Sequence, residues 1–151
     1  MSDSRSPAAL RRTLHELIFT PEHEPRADDP YAAEYRAARH HAIDVLDTPC
    51  WICGIRKSAG GKMETHHSVI EWSLANGVDP RKVQADYPEL DLSDPAKFGE
   101  WLDSEGNLLV LCAPHHRGFA GIHSITYPPF RAQRYETQAL VGDPEGPGAG
   151  G

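Results

Sequence analysis

The chain has 151 residues, 39% of them hydrophobic, with 22 acidic against 15 basic side chains and a formal net charge of −7. That length holds one domain with a sizeable core and excludes two full ones. No apolar run approaches the roughly 18 residues of a membrane span, and Met1 to Pro7 lacks the apolar stretch of a secretory signal, so a soluble, intracellular, cytoplasmic protein with no membrane partner is expected.

Residues 1–28 mix Pro, Arg, Asp and Glu and read as a flexible N-terminal segment. Within it, Ser6-Pro7 can open a short helix with Leu10, Leu14, Leu17 and Ile18 on one face, stopping before Pro21. Asp29-Pro30 repeats the start signal, and Tyr31, Tyr35, Ala38, Ala42 and Leu46 keep a helical spacing towards Pro49. From Cys50 to Lys62 the pattern is a tight knuckle followed by a Ser-Ala-Gly-Gly turn, and Met63 to His67 is a short strand. Ser68-Val69-Ile70-Glu71 has the form of a capping box, predicting a helix through Trp72 and Leu74 that ends at Asn76-Gly77. Asp79-Pro80 and Asp94-Pro95 each open a further short helix, the second with Phe98, Trp101 and Leu102 available for burial. Asp103 to Asn107 is a turn and Leu108 to Leu111 an apolar strand. Pro114 starts a last short helix that Gly121 ends, and residues 136–151 form a tail expected to be disordered. The fold class is therefore α+β, a single domain over 29–135 with its core at 50–123 and a helical insertion at 68–103.

Three cysteines cannot all pair, and two of them form Cys50-x-x-Cys53. Cys112-x-x-His115 repeats that spacing and uses the remaining cysteine. Two intervening residues let a tight turn aim both ligands at one ion, and two such turns complete the tetrahedron of a structural zinc site; buried, unligated thiols are the alternative. Closing so long a loop on a metal contributes on the order of 10 kcal/mol of apparent folding free energy.

The nine histidines do not all carry the same meaning. For His15, His23, His40 and His41 a solvated or packed role is expected. Glu64-Thr65-His66-His67 instead ends a strand just after one knuckle, and His115-His116 begins a helix inside the other. A shared zinc draws the two pairs together, with His123 within reach, which makes a second metal site with a spare base. Spacing leaves open whether His115 or His116 completes the zinc site.

Cys50-x-x-Cys53-Gly54, Glu64-x-His66-His67, Asn107-Leu-Leu-Val-Leu-Cys112, His116 and Gly121-Ile122-His123 follow one another in an order that resembles the HNH endonuclease family, particularly its small zinc-containing members from bacteriophages. The resemblance implies a ββα-metal (His-Me finger) core stapled by a structural zinc at Cys50, Cys53, Cys112 and His115, with added helices and disordered termini. It implies His67 as the general base, His66 and His116 as ligands of a catalytic divalent ion (Mg²⁺, Mn²⁺, Ni²⁺ or Zn²⁺), His123 as an additional ligand, and Asn107 as the residue that pins the two strands and orients the base. Glu64 matches an acidic position without an implied role.

The implied activity is hydrolysis of DNA phosphodiester bonds with one ion, leaving a 5′-phosphate and a 3′-hydroxyl. A neutral imidazole accepts a proton at cellular pH and a cation offsets charge on the phosphate. DNA is the expected partner, with Arg117, Arg131 and Arg134 as candidate phosphate contacts and Trp51, Trp72 and Trp101 as core residues. Charge favours DNA only locally. Residues 79–105 carry Asp79, Asp86, Glu89, Asp91, Asp94, Glu100, Asp103 and Glu105 against Arg81, Lys82 and Lys97, whereas residues 106–134 carry no carboxylate. The alternative is a zinc-stabilised module that binds nucleic acid without cutting, or an interaction protein of a phage packaging or repair complex whose acidic segment meets a basic partner.

Overall fold

A computed structural model describes residues 14–23, 26, 29 and 31–146. Among these residues, five α-helices, a π-helical turn and several 3-10 turns surround one two-stranded antiparallel sheet. Strand β1 (Met63–His67) pairs with β2 (Leu108–Cys112) in a register that sets Met63 against Cys112 and His67 against Leu108. The apolar run of β2 buries Val110, Leu111 and Cys112, and Phe130 packs beneath them at 0% exposure. None of the described helices is long and apolar enough to cross a membrane.

Helix α1 (Ala32–His40) continues into a π-helical turn at His41–Val45. The wider turn inserts one residue per cycle and rotates the apolar face. Ala42 and Ile43 therefore enter the core, while Leu46, expected on the buried face, stands 54% exposed. The knuckle that follows closes through Gly54 N–H to Cys50 O (2.9 Å), and Gly54 takes a φ of 79°, a conformation that disfavours any side chain.

The segment between the strands differs from its expected form at one place. The capping box at Ser68 does not form, and residues 72–77 make a 3-10 turn whose preceding residue, Glu71, gives no side-chain cap. Asn107 replaces it: its side-chain oxygen accepts the N–H groups of Val69 (2.9 Å) and Ile70 (3.0 Å). Helices α2 (Pro80–Asp86) and α3 (Pro95–Leu102) start as their Asp-Pro signals predict, Asp79 accepting from Arg81 N–H and Asp94 from Lys97 N–H. Val83, Leu92, Phe98, Trp101 and Leu102 give this segment a small core of its own.

The N-terminal helix predicted from Ser6 starts outside the described residues; residues 14–20 within it have no helical structure. The segment expected to be flexible makes several contacts: Asn76 donates to Glu22 O, His23 lies edge-on to Trp72, and Arg26 donates to Asp103. Helix α4 (Ala113–Arg117) stops at Gly118, earlier than the Gly121 predicted. A fifth helix, α5 (Tyr127–Ala132), was not foreseen; it starts at Tyr127-Pro128 and supplies Phe130 to the core. Residues 136–146 have no helix or strand, and 147–151 lie outside the description.

Candidate metal centres and active site

The first centre is built where β2 runs into α4. Cys112 ends the strand, His115 sits on the first turn of α4, and the Cys50–Cys53 knuckle folds against them. Cys112 Sγ lies 3.2 Å from His115 Nδ1, Cys53 Sγ 3.8 Å from Cys112 Sγ, and Cys50 Sγ 3.9 Å from His115 Nδ1. A zinc tetrahedron with 2.3 Å sulfur and 2.0–2.1 Å nitrogen bonds has edges of about 3.5 to 3.8 Å, so the donor set fits the ion. His115, not His116, completes it: all four donor atoms lie within 4.8 Å of one another. Burial pushes the Cys112 thiol up to about 12. Burial acts the same way on Cys50, but main-chain groups of Cys112, Cys53 and Ile52 outweigh it and hold that thiol below its ordinary value. Neighbouring thiols that resist sharing negative charge gain most from a divalent cation.

The second centre uses the opposite outcome for the next residue along α4. His116 turns towards His66 and His123, and donor atoms of these three lie within 4.8 Å of one another. His116 Nε2 and His123 Nε2 are 3.1 Å apart, close to the roughly 3.3 Å edge expected for two imidazoles on one ion. His123 reaches this position because the chain folds back over α4, with Ile122 N–H donating to His115 O and His123 N–H to His116 O. Gly121 makes the fold-back feasible, since a Cβ there would lie 2.7 Å from the His116 carbonyl carbon. Burial, followed by repulsion from His123, His116 and His67, lowers the His66 pKa to about 4, and burial lowers that of His123. Neutral imidazoles are the form that ligates a metal.

Glu64 now has a definite contact. The period of β1 puts Glu64 and His66 on one face, and Glu64 Oε1 accepts from His116 Nδ1 at 2.7 Å, leaving His116 Nε2 as the atom that faces His123. Its carboxylate also takes Arg117 Nε and a terminal guanidinium nitrogen at 2.8 and 2.6 Å, which hold it below the usual carboxylate range. Arg117, a candidate phosphate contact, is thus committed to Glu64. Arg134 lies over the Trp51 ring and donates to Trp51 O, beside the cysteine centre.

His67 lies on the other face of β1, stacked on Tyr35 with ring centroids 5.3 Å apart. Its Nε2 is 2.9 Å from Asp103 Oδ1, and Asp103, 1% exposed, also receives two nitrogens of Arg26 at 2.7 and 3.1 Å. Burial would raise the Asp103 pKa, yet His67 and Arg26 together keep it below the carboxylate range. Asn107 is 0% exposed and its four side-chain hydrogen bonds all go to main chain, to Val69 N–H, Ile70 N–H, Ile70 O and Leu102 O. It pins the chain leaving β1, whereas the side chain on the His67 ring nitrogen is Asp103.

His66, His67, His116 and His123 line one open cleft of about 360 Å³ together with Arg26 and Glu71. Asp103 and Arg26 escaped sequence reasoning because one sits in an acidic run and the other in a Pro-rich arm. The strand register held a signal for Asp103: with His67 opposite Leu108, the turn before β2 must pass beside His67. His40 and His41 pair with Asp44 and Glu105 on the surface, and neither belongs to either cluster. No protein-family model matches the chain, and no curated protein or solved structure shows significant similarity to it.

Proposed function

We propose that the protein is a metal-dependent DNA endonuclease of the HNH type, with a ββα-metal core in which His67 is the general base and His66, His116 and His123 hold one divalent ion. The observation that carries this reading is the convergence of a three-histidine cluster and a separately held fourth histidine on one open cleft. An all-imidazole donor set suits Zn²⁺ or Ni²⁺ better than Mg²⁺ or Mn²⁺. When bound, the ion supplies positive charge to the scissile phosphate and the departing oxygen.

The chain's own groups do the rest. His67 takes a proton from the attacking water as its oxygen bonds to phosphorus and the bond from phosphorus to the 3′ oxygen breaks, the 3′ oxygen gaining its proton from solvent. Glu64 keeps His116 in the tautomer that presents Nε2. The cysteine centre fixes α4, and with it the direction of His116.

The net charge of −7 and the pairing of Arg117 with Glu64 favour a second reading, a zinc-stabilised interaction module that does not cut. A plasmid-nicking assay with Mg²⁺, Mn²⁺, Ni²⁺ and Zn²⁺ separates the two. Wild type should nick with at least one ion, and His67→Ala should slow nicking by roughly 10²- to 10⁴-fold. Wild type inert with all four ions would leave the second reading standing, and an unimpaired His67→Ala would remove the assigned base.

A further inference from the structure

Asp103 is a buried carboxylate that neither metal centre uses. It lies just beyond the end of α3, in the turn that the β1–β2 register carries past His67. Its partners are His67 Nε2 at 2.9 Å and the two Arg26 nitrogens at 2.7 and 3.1 Å. Arg26 comes from the N-terminal segment and is itself gripped, its guanidinium 4.8 Å from the ring centres of both Tyr35 and Trp72. Tyr35 is fixed in turn, with its hydroxyl 2.8 Å from Thr65 Oγ1 while its ring stacks on His67. Every plane and charge around the His67 ring is therefore set by a neighbour.

We infer that Asp103 is the positioning residue for His67 and that Arg26 holds Asp103 in place for it; the inference rests on reading His67 as the base of a phosphodiesterase. A neutral imidazole carries one N–H, and the acceptor beside the ring decides which nitrogen has it. An ionised carboxylate only accepts, so Asp103 fixes the proton on Nε2 and leaves the Nδ1 lone pair as the basic site. When Nδ1 takes the proton from water, the imidazolium forms against a carboxylate that stabilises it. Arg26 occupies lone pairs that Asp103 would otherwise bury unpaired. The N-terminal arm is in this way part of the catalytic apparatus, and the long segment between the strands ends by delivering the group that orients the base.

The test compares wild type with Asp103→Asn and Arg26→Gln, each loaded with zinc at the cysteine centre. Long-range ¹⁵N–¹H spectra report which His67 nitrogen is protonated. Wild type should show the Nε2–H tautomer, and Asp103→Asn a mixed or Nδ1–H pattern. In the nicking assay Asp103→Asn should lower kcat by up to about 10⁴-fold, the loss seen when such a base is left in the wrong tautomer, with KM for plasmid little changed. An Nδ1–H tautomer in wild type overturns the inference. So does an Asp103→Asn variant that nicks at the wild-type rate, an outcome that leaves the endonuclease reading intact. If wild type nicks with no ion, the endonuclease reading falls and the wild-type and variant tautomers decide the positioning role alone. If Asp103→Asn proves insoluble, Arg26→Gln, whose side chain is 31% exposed, carries the kinetic arm. A lower kcat at unchanged KM supports the inference there, and an unchanged kcat overturns it.

Discussion

His115 and His116 are neighbours on one short helix, yet they belong to centres of opposite character. The cysteine centre offers four donors, with Cys50 and Cys112 buried in the main core beside Ile52 and Leu111. The histidine centre offers three, along the wall of an open cleft. Four donors in a closed shell leave a metal nothing to do but hold the chain together, whereas three in an accessible one leave a position for water or phosphate. One turn of helix thereby carries a residue of each cluster, because consecutive helical residues project about 100° apart.

The largest expected effect breaks this comparison outright if it fails. Cys112→Ser removes a buried ligand and should forfeit zinc binding worth on the order of 10 kcal/mol of apparent folding free energy, so soluble yield should collapse. The paired variant His116→Ala should remain folded and co-purify with one tightly bound zinc, read by metal analysis and circular dichroism. Equal loss of fold in both would mean that the two centres are not divided into support and chemistry.

Asn107→Ala sharpens the division. The side chain is fully buried and serves two N–H groups and two carbonyls at the cleft end of the sheet, far along the strands from Cys112. Leaving those groups unpaired should cost roughly 3 to 5 kcal/mol, seen as a lower midpoint in denaturant unfolding. Zinc content should stay at that of wild type, since the cysteine end is held by the metal itself.

The same contrast explains what could be read from the chain alone. Both knuckles, both strands and the two Asp-Pro helix starts were legible, because they rest on local spacing and on capping chemistry that acts within a few residues. The tight grouping of Cys50, Cys53, Cys112 and His115 follows from the same spacing. Ser68 misled because its capping box competes with Asn107, a residue distant in sequence whose carboxamide reaches the same N–H groups. Leu46 misled because a π-helical turn broke the period on which its burial was predicted. Asp103, Arg26 and the role of Glu64 were illegible for a common reason: each matters through a long-range side-chain contact, and a carboxylate or guanidinium carries no mark of its partner.

Glu64 provides the finest test of the comparison, since it touches the histidine centre alone. Its carboxylate accepts His116 Nδ1–H, which leaves Nε2 for a metal, and its other contacts are with Arg117. Glu64→Ala should weaken divalent-ion binding at the histidine centre by about 10- to 100-fold, measured by calorimetric titration of the zinc-loaded protein, with the cysteine-bound zinc retained. The contribution has a defined pH sense. Arg117 and His116 hold the Glu64 carboxyl below its ordinary 4.5, so its support is complete above about pH 4.5 and is lost only as the pH falls through the lowered folded value. Wild-type and Glu64→Ala affinities should therefore differ by a constant factor at neutral pH and converge on acidification. A gap that widened towards acid would show that Glu64 acts on the cluster by some route other than its charge.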